Sequence, residues 1–328
     1  MHDFIAVGDI VTDAFIKLKD ASVHCDVNKE HCTITMAFGA KIPYESVEVV
    51  KAVGNSANAA VSAARLGLSS ALVSDLGDDD VGRECLESLK KDGVATNLIS
   101  IHKGQKTNYH YVLWYDNDLT ILIKHEEYNY HLPEVGEPKW LYLSSLGAKS
   151  LEYHKEVVKW LKVHPKVSLA FQPGTFQIKL GKDELKDVYT RAKIFFCNVE
   201  EAEKILGLNT LGIEELLKRL QALGPRIVVV TDGSKGAYAF NGEEMWFLPP
   251  YPDLNPPFER TGAGDAFAST TVVAIALDKD LPTALAWGAI NSMSVVKQVG
   301  AQKGLLTRSQ IEKYLQDAPT NFKIRKLN

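Results

Sequence analysis

The chain has few cysteines, no long apolar run and no strongly basic stretch, and each absence excludes a class of protein. Four cysteines in 328 residues are too few for a disulfide framework. The longest apolar helix candidate, near 266–277, is too short to cross a bilayer, which takes about 20 residues. No basic segment followed by an apolar one opens the sequence, so we expect a cytoplasmic protein without membrane contact. A net charge of −4 and the lack of Lys/Arg clusters argue against a nucleic-acid partner.

The residues that are present form an alternating pattern of strands and helices. Hydrophobic residues make up 45% and charged residues 24%, an ordinary globular balance. Short apolar strands are predicted at 4–7, 71–74, 140–143, 167–171, 194–196 and 227–231. Helices are predicted between them, at 56–66, 80–91, 153–164, 186–191, 200–206 and 213–223. This alternation predicts an α/β fold with a mostly parallel central sheet.

Two other stretches have half-polar strands that do not suit a sheet buried on both faces. They comprise strands at 14–18, 22–26, 33–38 and 46–52 and a hairpin of 107–114 with 119–124. We therefore predict that 1–13, 53–106 and 125–328 form the α/β domain, which binds the nucleotide and carries out catalysis. Segments 14–52 and 107–124 are predicted to form a discontinuous β lid over it.

The first lid hairpin contains a Cys and His pair on each strand. With a turn near Asn28-Lys29, Cys25 lies roughly opposite Cys32. Two cysteines with His24 and His31 could form a zinc set. Strand alternation sends His24 and Cys25 to opposite faces, however, so cross-strand packing is favoured over a metal site.

The strongest chemical signal is the segment 260–267, Arg-Thr-Gly-Ala-Gly-Asp-Ala-Phe. Glycines at a helix start let backbone N–H groups converge, and the helix dipole favours an anion there. If that anion is a phosphoryl group in transfer, the Asp265 carboxylate can accept the proton of the attacking hydroxyl. The alternative is that Asp265 only caps its helix.

With four further motifs, this segment resembles the ribokinase-like PfkB family of sugar and nucleoside kinases. The motifs occur in the family's order: Gly54-Asn55-Ser56-Ala57-Asn58-Ala59, Gly77-Asp78-Asp79-Asp80-Val81-Gly82, Asn198-Val199-Glu200-Glu201, and Thr231-Asp232-Gly233-Ser234-Lys235-Gly236. The resemblance covers essentially the whole chain. It implies a three-layer α/β sandwich with a small β-sheet lid, ATP as phosphoryl donor and Mg²⁺ as cofactor.

The resemblance also assigns roles to individual residues. It implies that Asp265 is the catalytic base and that the N–H groups of Gly262, Ala263 and Gly264 stabilise the transferred phosphoryl group. Glu201 is expected to act on Mg²⁺ through water. The acceptor is expected to contact Asp13, Gly54 and Asn58, and ATP to contact Asn198, Thr231, Gly233, Gly236 and Asn291. The structural alternatives are turn formation for Asp13 and a helix N-terminus capped by Asn55 or Ser56 for Gly54 and Asn58. For Asn198 the alternative is helix capping, and for the two glycines after Thr231 it is a strand-to-turn connection.

Several positions depart from the family pattern. Glu259 stands where Asp is frequent, near the potassium site of some members, which makes a potassium requirement doubtful. Arg260 replaces a small polar residue and could reach a phosphate. Gln172-Pro173-Gly174-Thr175 replaces an Asp-centred segment of many relatives.

The acceptor is the least defined part of the prediction. We expect transfer to a hydroxymethyl group of a free sugar. A nucleoside is the second candidate, because Tyr109 and Tyr111 share a strand face and could stack on a base, although a lid core or a lid-mediated homodimer would also use them. A sugar phosphate would need a basic contact, for which Lys41, His110 and Lys124 are candidates. A non-catalytic nucleotide or metabolite sensor is disfavoured by the intact Asp265 and loop glycines. A dinucleotide-dependent dehydrogenase is excluded because Gly8 lacks the further glycines of a phosphate-binding turn.

Overall fold

The computed structural model describes residues 2–26, 32–116, 118–208, 211–253 and 260–327. The predicted turn at Asn28-Lys29, His31 and the departure at Glu259 lie outside these residues. The strands are β1 (Phe4–Val7), β2 (Val11–Leu18), β3 (Ser22–Cys25), β4 (Cys32–Thr35), β5 (Tyr44–Val53), β6 (Ser70–Gly77), β7 (Ile99–His102), β8 (Tyr109–Tyr115), β9 (Asp118–Leu122), β10 (Trp140–Leu143), β11 (Ser168–Phe171), β12 (Ile194–Asn198), β13 (Ile227–Thr231), β14 (Ala237–Phe240), β15 (Met245–Leu248) and β16 (Arg325–Leu327).

The helices flank these strands in chain order. They are α1 (Asn55–Arg65), α2 (Asp80–Lys91), α3 (Leu151–Val163), α4 (Thr175–Leu180), α5 (Lys186–Arg191), α6 (Val199–Leu206), α7 (Ile213–Gln221), α8 (Ala263–Ala276), α9 (Leu281–Val295) and α10 (Arg308–Gln316). Among the described residues, no helix combines the length and the apolar character that crossing a membrane requires.

The main sheet has ten strands in the order β16-β15-β14-β13-β12-β11-β10-β1-β6-β7. Along this order, each pair of neighbouring strands from β13 through to β7 is parallel. The strands β14, β15 and β16 pair antiparallel at the other edge. Because successive side chains point to opposite faces, β1 places Phe4 and Ala6 in one apolar core and Ile5 and Val7 in the other. Helices cover both faces, so the predicted α/β sandwich with a mostly parallel sheet is confirmed.

A separate four-stranded sheet, in the order β5-β2-β8-β9, carries most of the second group of strands, whereas β3 and β4 pair with each other in a two-stranded sheet. The inner face of the four-stranded sheet packs against the main body through Phe15 and Val112, which are buried with Val299. Asp13 on β2 pairs with His110 on β8, two residues before these apolar neighbours on the same face. The separate sheet agrees with the predicted fold class, while the domain boundaries given above stay a prediction.

The structure contains elements that the sequence analysis did not predict, and it corrects one expectation. β14, β15 and β16 form an antiparallel edge, and α4 follows β11; the sequence pattern predicted none of these four elements. The predicted cross-strand packing of Cys25 and Cys32 is wrong in one respect, because a disulfide joins the two residues. Both sulfur atoms are used in that bond, so they are not available as thiolate ligands for the zinc alternative.

Candidate active site

Five predicted site residues meet in one cavity at the carboxyl ends of the parallel strands. The cavity has a volume of about 170 Å³. Open α/β sheets bind ligands at this edge. The predicted residues that line the cavity are Asn198, Glu201, Thr231, Gly264 and Asp265. Asn55 and Gln172 lie beside them, and neither was predicted to belong to the site.

The start of α8 places Asp265 in the first helical turn. The helix begins at Ala263, and the residue before it, Gly262, has a φ of +77° and provides no side-chain cap. Asp265 is therefore not the capping residue, which removes the structural alternative for it. A Cβ atom on Gly262 would lie 2.2 Å from the Cβ of Ala301, so only glycine fits there. A Cβ atom on Gly264 would meet nothing within 4 Å.

Both oxygens of the Asp265 carboxylate accept a hydrogen bond from a neutral amide. Asn58 Nδ2 donates to Oδ2 at 2.8 Å, and Gln172 Nε2 donates to Oδ1 at 3.0 Å. Burial raises the pKa of Asp265, and the two amide donors act in the opposite direction by favouring the ionised form. The carboxylate is thus held without a salt bridge to any described residue, which leaves its charge available to take up a proton.

Asn198 and Glu201 form a reciprocal cap at the start of α6. The Glu201 N–H donates to Asn198 Oδ1 at 2.8 Å, and the Asn198 N–H donates to Glu201 Oε2 at 2.9 Å. Burial raises the pKa of Glu201, and the charge of Asp265 adds to this effect. Mg²⁺ in phosphate complexes keeps several waters and uses one or two carboxylates, so the Glu201 carboxylate at the cavity wall fits the predicted water-mediated role.

Of the three residues on and after β13 that were predicted to bind the nucleotide, one lines the cavity and two do not. Thr231 ends β13 and lines the cavity. Gly233 and Gly236 have φ values of +50° and +115°, and a Cβ atom on Gly236 would lie 2.4 Å from the Leu248 carbonyl oxygen. Local backbone geometry thus accounts for both glycines, which do not line the cavity.

Asn291 does not meet the other predicted site residues. It is fully buried, its Nδ2 donates to Thr270 Oγ1 at 2.7 Å, and its Oδ1 accepts from the Leu306 N–H at 2.8 Å. These bonds join α9 to α8 and to the loop before α10. Contact between Asn291 and adenine stays a prediction. Both polar side-chain atoms of Asn291 already form hydrogen bonds within the protein.

The predicted acceptor residues lie on the other side of Asp265. Gly54 has a φ of +108°, and a Cβ atom there would lie 2.8 Å from the Asp9 carbonyl oxygen, so glycine permits the close approach of β5 to β1. One turn later Asn58 reaches Asp265. Asp13 is buried next to His110, with 3.3 Å between Asp13 Oδ1 and His110 Nδ1. That contact lacks hydrogen-bond geometry, and Asp13 Oδ1 and His110 Nε2 have no hydrogen-bond partner in the described part of the chain.

Sequence reasoning missed a second buried carboxylate near Asp13, that of Asp9. Asp9 accepts hydrogen bonds from Tyr130 and lies 3.0 Å from His125 Nδ1. The rings of His125 and His110 are 5.2 Å apart, which places Asp9 and Asp13 in one neighbourhood. The only sequence signal for Asp9 was its position directly after a glycine at the end of β1.

The tyrosines and the basic residues considered as acceptor contacts differ in their position relative to Asp13. Tyr109 and Tyr111 alternate with His110 along β8, so they point away from the face that carries Asp13. Of the three basic candidates, only His110 lies beside Asp13. Lys41 is exposed, and Lys124 pairs with Glu126 at 2.7 Å. Arg260 is exposed just before α8.

Comparison with known proteins identifies the family. The model of the pfkB family carbohydrate kinases matches residues 25–308. Ribokinase of Bacillus subtilis is 29% identical over 269 residues, which cover 80% of this chain and 87% of that protein. The structure of Arabidopsis thaliana ribokinase complexed with ribose and ATP superposes with a TM-score of 0.77 at 21% identity, covering 96% of this chain and 99% of that one. A nucleoside kinase of Methanocaldococcus jannaschii, an archaeal member of the ribokinase family, gives 0.75 at 20% identity, covering 96% and 98%.

The fold is that of the ribokinase structures. The chain belongs to the PfkB family of carbohydrate kinases, since the family model covers most of its length. It is therefore a kinase, and the acceptor is not specified by these matches.

Proposed function

We propose that the protein transfers the γ-phosphoryl group of ATP to a hydroxymethyl group of a free sugar. The observation that supports this most is the position of Asp265. Its buried carboxylate lies at the N-terminal end of α8, in a cavity that it shares with Asn198, Glu201 and Thr231. A general base next to a helix N-terminus suits an in-line attack on a phosphoryl group.

In the proposed step, residues of this chain remove the proton of the acceptor and stabilise the transferred phosphoryl group. Asp265 removes the proton of the acceptor hydroxyl, whose oxygen forms the new bond to the γ-phosphorus. The bond to the bridging oxygen breaks, and ADP leaves with that electron pair. The N–H groups of Gly262 and Gly264 stabilise the phosphoryl oxygens, and the Ala263 N–H, which donates to the Arg260 carbonyl oxygen at 3.3 Å, would have to leave that bond to join them. Mg²⁺, held through water by Glu201, would neutralise phosphate charge.

A neutral acceptor suits the surroundings of Asp13 better than a phosphorylated one. Asp9 and Asp13 are buried carboxylates, and carboxylates accept hydrogen bonds from hydroxyl groups but repel phosphates. Within the described part of the chain neither Lys41 nor Lys124 forms an ion pair with them, and Lys124 pairs with Glu126 instead. The unpartnered oxygen of Asp13 and nitrogen of His110 are well suited to two hydroxyl groups. These features favour a free sugar over a sugar phosphate.

A nucleoside is the second candidate acceptor. Its ribose presents the same hydroxymethyl and hydroxyl groups to Asp13 and Asp265, and the Methanocaldococcus relative carries that activity in its name. Tyr109 and Tyr111 lend it no support, because they lie on the opposite face of β8 from Asp13. His125 with Phe176, whose rings are 5.4 Å apart, is the aromatic pair near Asp9 that a base could contact instead.

We also propose that two copies of the chain pair through the outer face of the lid sheet. Val49, Tyr111 and Leu122 form one cross-strand row on that face, and each is between 44% and 50% exposed. A second copy with the same apolar row would bury it around a two-fold axis.

The test of function is ADP release from Mg-ATP with a panel of free sugars, nucleosides and sugar phosphates. Turnover is expected with free sugars and weaker or no turnover with sugar phosphates. Turnover confined to nucleosides would replace the sugar proposal by the second candidate. ATP binding without turnover on any member would support the sensor alternative.

A further inference from the structure

The two amides that hold Asp265 are themselves held by second partners. Tyr142, fully buried in β10, donates its hydroxyl hydrogen to Gln172 Oε1. Gln302, in the loop before α10, donates from Nε2 to Asn58 Oδ1 at 3.0 Å and to the Ala52 carbonyl oxygen at 2.7 Å. Asp265 is thus the centre of two hydrogen-bond chains, one from Tyr142 through Gln172 and one from Gln302 through Asn58.

Each outer partner fixes the direction in which its amide points. The Ala52 carbonyl can only accept, so the nitrogen of Gln302 faces it and the oxygen of Asn58 must face the same nitrogen. Asn58 therefore turns its NH₂ group toward Asp265. On the other side the phenol of Tyr142 donates to the oxygen of Gln172, which turns that NH₂ group toward Asp265. A flipped amide would place an oxygen against the carboxylate.

The burial of Tyr142 keeps its phenol in the donating form. Burial and, second, the negative charge of Asp265 raise the pKa of Tyr142 well above its ordinary value. The phenol is therefore harder to deprotonate than an exposed tyrosine and keeps the hydrogen that it donates to Gln172.

We propose, resting on the function above, that Tyr142 and Gln302 are positioning residues that hold Gln172 and Asn58 as a two-sided clamp on the Asp265 base. The clamp fixes the orientation of the carboxylate and favours its ionised form without placing a second charge beside it. Gln172 also gives a role to one of the departures from the family pattern, since a neutral amide stands at the end of β11 where many relatives have an Asp-centred segment.

The test compares Tyr142→Phe, Gln172→Leu and Gln302→Met with Tyr189→Phe, which removes the hydroxyl of another buried tyrosine outside both chains. In Tyr142→Phe we expect kcat to fall about 10-fold, because a misplaced base loses rate steeply, while KM for ATP changes less than about two-fold. The acid limb of the pH–rate profile should move to higher pH in all three clamp variants. Gln172→Leu removes a donor to the carboxylate, and the other two changes free an amide that donates to it, so the ionised form is favoured less. Tyr189→Phe should match the wild type.

A second readout does not depend on turnover. Carbon-13 NMR of the Asp265 carboxyl should show a higher titration midpoint in Tyr142→Phe and Gln172→Leu than in the wild type. An unchanged midpoint and an unchanged kcat in Tyr142→Phe would overturn the clamp, whether or not the larger substitutions fold. If the wild type turns over no acceptor while the midpoint still shifts, the clamp is supported and the proposed function is not.

Discussion

At the scale of single residues, the properties of Asp265 come from two opposed effects. Burial disfavours its charge, and two amide donors favour it. Burial outweighs the two donors and raises the pKa, so the carboxylate binds a proton more readily than an exposed aspartate, while the donors still favour its ionised form. A base must do both, because it has to take up a proton during the reaction and release it afterwards.

The raised pKa of Asp265 predicts the acid side of the pH profile. The ionised base is lost as the pH falls through its pKa, so kcat/KM should decline at a higher pH than the value of about 3.9 for a free aspartate. Steady-state rates between pH 4 and 9 would measure this. The pKa of Glu201 is also raised, so Glu201→Gln serves as the control. If kcat/KM no longer declines at low pH in Glu201→Gln, the decline is caused by Glu201 and not by Asp265.

The glycines at the start of α8 should respond differently to the same substitution. Gly262→Ala forces a Cβ onto Ala301 at a positive φ and should lower the free energy of unfolding by about 1–3 kcal/mol. Gly264→Ala meets no atom and should be as stable as the wild type or more so, yet it should lose activity because its methyl group enters the cavity. Denaturant melts and ADP release measure the two effects. Equal stability loss in both variants would contradict this account of the loop.

At the scale of elements, the sequence predicted the parts whose patterns are local. β1, β13 and α2 have the predicted bounds, since continuous apolar runs and a regular amphipathic period identify them without tertiary context. The three-residue β16 and the six-residue α4 are too short to show a period. The motif around Asp265 was recognisable, but the Gln172 and Gln302 contacts join segments far apart in the chain, where neither glutamine stands in a distinctive local pattern.

Two substitutions of Asn198, at the cap of α6, distinguish a structural role from a nucleotide-binding role. Asn198→Ala removes the acceptor for the Glu201 N–H and should reduce stability by about 1 kcal/mol. Asn198→Ser retains a capping oxygen and should keep most of that stability. Both variants should raise KM for ATP if the amide contacts the nucleotide. A normal KM in Asn198→Ser would leave Asn198 with the capping role alone.

At the scale of the whole molecule, the lid sheet has two unlike faces. The inner face contributes Phe15 and Val112 to a small core and brings Asp13 to the acceptor side. The outer face exposes the row of Val49, Tyr111 and Leu122. One sheet can therefore complete the site and, on its other side, pair with a second copy.

The proposed pairing predicts a particle of twice 36.2 kDa. Val49→Lys places a charge at the β5 end of the apolar row and should give a monomer by size-exclusion chromatography with light scattering. Val163→Lys, at an exposed position at the end of α3, is the control and should leave the mass unchanged. A wild-type protein that is monomeric at micromolar concentration would rule out a stable lid-mediated dimer.

The most direct test of the central claim is the rate of Asp265→Asn with the best acceptor from the panel. Removal of the general base should lower kcat by about 10²–10⁴-fold while ATP still binds. Asp80→Asn, which changes another aspartate in the first turn of a helix, should keep the wild-type rate. If Asp265→Asn retains a kcat close to the wild type, Asp265 is not the base and the proposed mechanism is wrong.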